Sequence, residues 1–299
     1  MSATSAALQR LRLRTELRRA RLAAELTQRE VAKSMEWSPS KLIRIEAGEV
    51  GVSVNDLRPL LAAYGITDRR KIDELLDLAR GSRKMPFAEY RDLYGKEMLQ
   101  FLSLESAAWI TRHYSSLVIP GVLQTEEYMR ATMRAFAAQT NEDLVDRAVE
   151  ARLARQELLD DTGDRQLFFI LDESVLRRST GGPGVMRAQL ERLAELSAQP
   201  HITLQILPFS AGAHPAIQGP FTLFEFRVDE MEDALFIEDS RGIILAGTSP
   251  EETRRYLERF WELEDLAVKE DVEKLLRRLA GRVEAGSDDL LRLLDDEAV

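Results

Sequence analysis

The sequence predicts two folds in series: an all-α domain of short helices, then an α+β domain with a mostly antiparallel sheet. Three observations carry this expectation. Through the first eighty residues the apolar positions recur three and four apart, in pieces of about one to four turns. From Gln166 onward the pattern changes to short apolar runs separated by turn residues, the mark of strands. The charge is also uneven. The window Leu8–Val50 holds ten Lys/Arg against six Glu, or +4, in a chain of formal net charge -10, which leaves -14 for the rest. A polyanion meets the local face and not the average, so a basic head on an acidic body is compatible with an anionic partner.

The helices follow in order. Leu13, Leu17, Ala20 and Ala24 place a first helix over about residues 9–24. Thr27, with Glu30 three residues on, forms a capping box for a second, whose apolar face is Val31, Ala32 and Met35. Ser38 caps a third, with Pro39 at its first position, where a missing N–H is harmless. Leu42 and Ile45 point inward, and Gly48 supplies a left-handed stop. Ser53 with Asp56 starts a fourth helix through Leu57, Leu60 and Leu61, which Pro59 should kink or delay. Thr67 starts a fifth, carrying Ile72, Leu75, Leu76 and Ala79. The second and third helices are separated by only three or four residues, the tight junction of a helix-turn-helix, which turns the start of the third helix outward.

The stretch "LTQREVAKSMEWSPSKLIRIEAG" resembles the lambda-repressor-like (Xre-type) helix-turn-helix family, on Thr27-Gln28, Val31-Ala32, Ser38-x-Ser40, Ile45-Glu46 and Gly48. The resemblance implies double-stranded DNA as a partner. Gln28 would contact a backbone phosphate, and Ser38, Ser40, Lys41, Ile43 and Arg44 would lie on or near the groove side. Two departures stand out. Glu25 and Glu36 occupy helix ends where the family has glycine, and Ile43 replaces a small polar residue. An exposed isoleucine there is suited to a thymine methyl, or else to packing on a neighbouring helix.

The rest divides into a linker at 81–88, an α+β effector domain at 89–268 and an acidic helical tail at 269–299, behind the helix-turn-helix domain at 8–80. Helices are expected from Met98 to about Ile110, from Thr125, from Asn141 to about Leu159, from Gly184 to Ala198 and from Pro250 to Val268. Strands are expected at Gln166–Glu173, His201–Pro208, Phe221–Phe226, Ala234–Asp239 and Gly242–Gly247, the last three as an antiparallel meander. "VIPGVLQTEEYMRA", "GGPGVMRAQLERL" and "ILPFSAGAHPAIQGPFTLFEF" resemble the C-terminal domain found behind such helix-turn-helix modules in regulators of filamentous, high-GC soil bacteria. That resemblance implies a sensing or signalling role, in some members beside a small partner protein encoded nearby, and brings no ligand or reaction.

Catalytic chemistry is sparse. The chain has three histidines (His113, His201, His214) and no cysteine, and it lacks HExxH, GxSxG and P-loop patterns. The run Gly181-Gly182-Pro183-Gly184 reads as a helix-start turn and Asp172-Glu173 as the cap of a following helix. No enzyme, no cofactor and no metal are expected. Without an apolar run of about 18 residues no membrane helix is expected. The lack of an apolar leader and of cysteine points to the cytoplasm, at the nucleoid. Two Gly/Pro-broken segments, Pro120–Thr125 and Phe209–Gly219, are expected to line one cleft for a ligand or partner peptide, through Gln124, Thr125, Ser210 and His214. The sequence reading is therefore a homodimeric DNA-binding transcriptional regulator controlled through its C-terminal domain. The alternative is an interaction module, antitoxin-like or a scaffold, for which DNA is secondary.

Overall fold

The computed structural model describes residues 6–46, 50–82, 87–136, 141–160, 164–227, 232–239, 242–247 and 249–284. The chain divides into two compact units, residues 1–108 with 226–231 and residues 109–225 with 232–299.

The first unit is built of α1 (Ala6–Ala23), α2 (Gln28–Ser34), α3 (Pro39–Glu46), α4 (Val54–Ala63), α5 (Arg69–Gly81) and α6 (Lys96–Ala107). Leu13 and Leu17 of α1, Val31 of α2, Leu42 and Ile45 of α3, and the leucines of α4 and α5 form one buried cluster. Each is the inward position that helical spacing assigns. α6 lies in this unit and packs on α1, although the sequence reading put residues from 89 onward with the second domain.

Three of these helices end in the same way. At the end of α1, Leu26 N–H donates to the Arg21 carbonyl at 3.1 Å and Glu25 N–H to Leu22 at 3.0 Å. At the end of α2, Trp37 N–H donates to Ala32 at 2.8 Å and Glu36 N–H to Lys33 at 3.2 Å. At the end of α4, Ile66 and Gly65 repeat the pattern on Leu61 and Ala62. This is the Schellman arrangement, which needs a left-handed residue followed by an apolar one that folds back on the core. Leu26, Trp37 and Ile66 do fold back on it. The left-handed residues are Gly65 at φ 73°, Glu25 at φ 57° and Glu36 at φ 54°. Two glutamates thus hold a conformation that costs an L-residue about 1–2 kcal/mol. The tight turn demands it there whatever the side chain.

Some local expectations shift. α4 starts at Val54 on its Ser53 cap and continues through Pro59, so the proline does not delay it. The cap of α5 is Asp68, whose carboxylate accepts from Arg70 and Lys71 N–H, and not Thr67. Gly48 lies outside the described residues, as do residues 83–86 of the expected linker and the end of the tail.

The second unit continues with β1 (Ile110–Ser115), α7 (Glu126–Phe136), α8 (Glu142–Arg155), α9 (Glu157–Asp160), β2 (Gln166–Asp172), α10 (Glu173–Arg177), α11 (Pro183–Ser197), β3 (Ile202–Leu207), β4 (Phe221–Glu225), β5 (Ala234–Asp239), β6 (Gly242–Gly247), α12 (Pro250–Leu266) and α13 (Val272–Glu284). The sheet order is β3-β2-β1-β4-β5-β6. β1–β2 and β2–β3 are parallel, while β1–β4, β4–β5 and β5–β6 are antiparallel. The sheet is therefore mixed, and the expectation of a mostly antiparallel one is corrected. The reason is connectivity: α7–α9 and α10–α11 carry the chain back between successive strands, which forces those strands parallel. β4, β5 and β6 follow one another closely in sequence and pair antiparallel.

β1 is the strand the sequence reading missed, and it lies in the interior of the sheet. Its sequence, Ile-Thr-Arg-His-Tyr-Ser, lacks an apolar run, and Arg112, His113 and Tyr114 find their partners far away in the chain. Arg112 donates to Glu225 at 2.7 Å and lies over Phe168 at 4.5 Å. His113 Nδ1 is 3.2 Å from Thr222 Oγ1, and the Ser115 hydroxyl donates to the Val118 carbonyl at 2.6 Å. Burial, with the Arg155 charge nearby, lowers the His113 pKa to about 3, so the imidazole is neutral at pH 7.

Helices cover both faces. Leu167, Phe169, Leu171, Leu204 and Ile206 pack with Leu190 and Leu193 of α11 and Leu275, Leu276 and Leu279 of α13. Tyr114, Ile170, Phe221, Leu223 and Leu235 pack on the other face with Phe260 and Leu263 of α12. α13, which falls in the expected acidic tail, is thus part of the core.

Candidate nucleic-acid interface

The junction of α2 and α3 is the candidate interface. Thr27 caps α2 reciprocally: Glu30 N–H donates to Thr27 Oγ1 at 3.3 Å, and Thr27 N–H to Glu30 Oε2 at 2.8 Å. The bonds from the Thr27 hydroxyl and N–H hold the Glu30 carboxyl below its ordinary pKa. Ser38 Oγ accepts from Lys41 N–H at 3.3 Å, which orders the first turn of α3. Leu42 and Ile45 are buried, while Ser38, Ser40, Ile43 and Arg44 are exposed. All four lie on the side away from the core, the side a major groove would meet.

A buried ionic network, absent from the sequence reading, fixes this presentation. Arg21 of α1 donates through Nε and Nη2 to the two carboxylate oxygens of Glu46 at 2.7 and 2.9 Å, and through Nη1 to the Leu26 carbonyl at 2.8 Å. Gln28 Nε2 donates to Glu46 Oε2 at 2.8 Å. Three helices thus share one carboxylate. Hydrogen bonding to Glu46 raises the Arg21 pKa, and burial, with the Glu46 charge beside it, raises that of the Tyr64 phenol. The available signal was positional: Glu46 shares the inward face of Leu42 and Ile45, where an unpaired carboxylate is not tolerated.

The network refines the expectation for Gln28. Its amide is oriented by Glu46, and since an amide nitrogen carries two N–H groups, one bond still permits another to a phosphate. Lys41 Nζ sits 3.9 Å from the centroid of Trp37 and 3.2 Å from Asp56 Oδ2. These surface contacts hold the side chain close to the helix start. Ile43, 47% exposed, opens with Leu22, Leu26 and Gln28 onto a concavity of about 700 Å³ beside α1. It therefore borders solvent and is not filled in by a neighbouring helix.

The four residues proposed for the second domain do not share a cleft. Gln124, 2% exposed, donates to the Ile119 carbonyl at 2.6 Å and accepts from Arg152 at 3.1 Å. Thr125 N–H donates to Gln189 Oε1 at 2.7 Å, Gln189 donates to the Leu123 carbonyl, and Gln156 to the carbonyls of Val122 and Gln124. Three glutamine amides stitch this segment to α8, α11 and their neighbourhood, on the sheet face covered by α11 and α13. His214 instead meets Tyr114 edge to face at 5.7 Å, on the α12 face. The expectation of one cleft lined by both segments is therefore corrected. The amide of Gln124 already serves the backbone.

Ser210 and His214 occupy the loop after β3. Phe209 N–H donates to Glu173 Oε2 at 2.6 Å, and Glu173 is fully buried and paired with Arg177. The Tyr114 hydroxyl donates to Asp172 Oδ2 at 3.4 Å. Burial lowers the His214 pKa against the opposing pull of Asp172, and its Nδ1 has no hydrogen-bond partner. Asp172 caps α10 through Ser174 N–H, as expected of it. His201 is held by the Leu159 carbonyl at 2.8 Å. Among the described residues no cluster of metal-ligating side chains forms, and no helix is long and apolar enough to cross a membrane.

A helical unit with a capped, outward-facing third helix, followed in the chain by a mixed-sheet unit, defines a helix-turn-helix protein with a second, α/β module. Residues 12–75 match the family model described as a helix-turn-helix domain. Residues 98–272 match the domain of unknown function DUF5753, and the chain belongs to that family. No curated protein and no solved structure matches it. The helix-turn-helix match points to a DNA-binding regulator.

Proposed function

We propose that the chain is a sequence-specific, Xre-type transcriptional regulator of double-stranded DNA, acting as a homodimer in the cytoplasm at the nucleoid. The observation that carries the reading is α3. It buries Leu42 and Ile45 and turns Ser40, Ile43 and Arg44 to solvent, on a scaffold held by the Arg21–Glu46–Gln28 network. A single module of this size buries too little surface for tight specific binding, which is why two copies on paired half-sites are invoked. The second domain is read as the non-catalytic receiver of a ligand or of a small partner protein encoded nearby.

An interaction module is the second reading. It is favoured by Leu117, Phe209 and Ile217, exposed at 49, 53 and 68% on the loops that follow β1 and β3. Selection from a random duplex library by the full chain tests the first reading. Enrichment of one motif in two related halves is expected. If no sequence is enriched over input while a small protein co-purifies from the native cell, the second reading stands in its place.

A further inference from the structure

The proposed dimer needs a surface, and one helix carries the features of a twofold contact. α12 buries Phe260 and Leu263 against the sheet. Its opposite side is open, with Trp261 and Leu266 exposed at 47 and 43%. Exposed charges of both signs line that side, among them Glu251 and Glu258 in its N-terminal half. Arg254 and Arg255 stand in its N-terminal half, Glu262 and Asp265 in its C-terminal half, and all four are exposed. Arg254 leans on Glu258 at 3.7 Å and Asp265 on Lys269 at 3.5 Å. Arg255 and Glu262 are different: among the described residues neither takes part in an ion pair.

We infer that the outer face of α12 is where a second copy of this chain docks, with the two α12 helices antiparallel. The reading rests on the homodimer proposed above and names its surface. Arg255 and Glu262 are seven residues, two helical turns, apart on one stripe, about 10 Å along the axis. A twofold axis passing between Glu258 and Arg259 sets Arg255 of one copy opposite Glu262 of the partner subunit, and the same contact recurs on the other side of the axis. An isologous interface must be self-complementary in this way, because each patch meets itself reversed. A parallel arrangement would set like charges against one another. Trp261, exposed at the flank of this stripe, offers apolar area at the edge of the contact and a ring on which a guanidinium can stack. Since symmetry repeats every contact, each substitution acts twice.

The test is the oligomeric mass of the full chain by sedimentation equilibrium, with circular dichroism to verify the fold of each variant. The wild type is expected at twice 33.9 kDa. Arg255→Glu and Glu262→Arg are each expected to weaken the dimer about tenfold or more, since each sets like charges together at both ends. The two variants mixed in equal amounts are expected to dimerise again, because every facing pair in the mixed species is opposite in sign. Trp261→Ala should weaken association without changing the fold. A wild-type chain that stays at 33.9 kDa at every concentration would remove the dimer reading itself. A wild-type dimer that both single variants retain, or single variants whose mixture stays monomeric, would place the contact elsewhere.

Discussion

Removing Glu46 alone should cripple the first unit, while removing Glu46 and Arg21 together should not. The pair is bidentate at 2.7 and 2.9 Å, and the two side chains are only 10% and 4% exposed. Glu46→Leu would leave a guanidinium buried with only the Leu26 carbonyl, and Gln28 without its acceptor. Breaking one side of a buried pair costs about 3–5 kcal/mol, because the surviving charge is uncompensated. That is a large part of the roughly 5–15 kcal/mol that holds a domain together. Arg21→Met with Glu46→Leu removes both charges and supplies apolar volume, so the double variant should fall within about 1–2 kcal/mol of wild type. The assay is urea unfolding of the full chain, read by amide hydrogen exchange in peptides from residues 9–46. A loss under about 1 kcal/mol for Glu46→Leu would show that the pair is not buried in solution. A double variant that loses the sum of both single effects would show that the two residues are not coupled.

Glu25→Gly and Glu36→Gly should each stabilise the first unit by about 1 kcal/mol, since φ values of 57° and 54° favour glycine; lower urea midpoints in both would contradict the strain. The second unit should lose stability as pH falls below about 6.5. The folded His113 pKa of about 3 lies under its ordinary value, so the unfolded chain takes up the proton first, and the His113 contribution is lost between about 6.5 and 3. The slope from this one group is at most about 1.4 kcal/mol per pH unit, and His113→Gln should flatten it in urea titrations at pH 4.5–7; an unchanged slope would assign the effect to other groups. Ile43, if it contacts a thymine methyl, should make one operator thymine sensitive to replacement by uracil in the wild type but not in Ile43→Ser; equal losses in both proteins would reject the contact.

The first unit was legible because its order is local. Thr27 and Glu30, Ser38 and Lys41, and Ser53 and Asp56 are each three residues apart, and the structure joins all three pairs. What the sequence hid there was Arg21–Glu46, a pairing across 25 positions that no periodicity encodes. In the second unit the apolar strands were visible, but β1 was not. Its Arg112, His113 and Tyr114 find Glu225, Thr222 and Asp172 only once the sheet is assembled. Missing that strand also concealed the parallel half of the sheet. The single cleft failed for a related reason: a Gly/Pro break marks where the chain turns, not which face of the sheet it reaches. Gln124 went to one face and His214 to the other.

The central claim is that the start of α3 reads DNA, and the most direct measurement is the affinity of the full chain for its selected operator as Lys41 and Arg44 are replaced. Lys41 holds only half-exposed contacts to Asp56 and Trp37, worth about 0–1 kcal/mol, so Lys41→Ala should leave the fold intact. Arg44→Ala should cost about 1–3 kcal/mol and relax preference at one base pair, as loss of a base contact does. Lys41→Ala should weaken binding evenly across sequences and lower the slope of log affinity against log salt by about 1, as loss of a phosphate contact does. Operator affinity and salt slope unchanged in the Lys41→Ala/Arg44→Ala double variant would contradict the account.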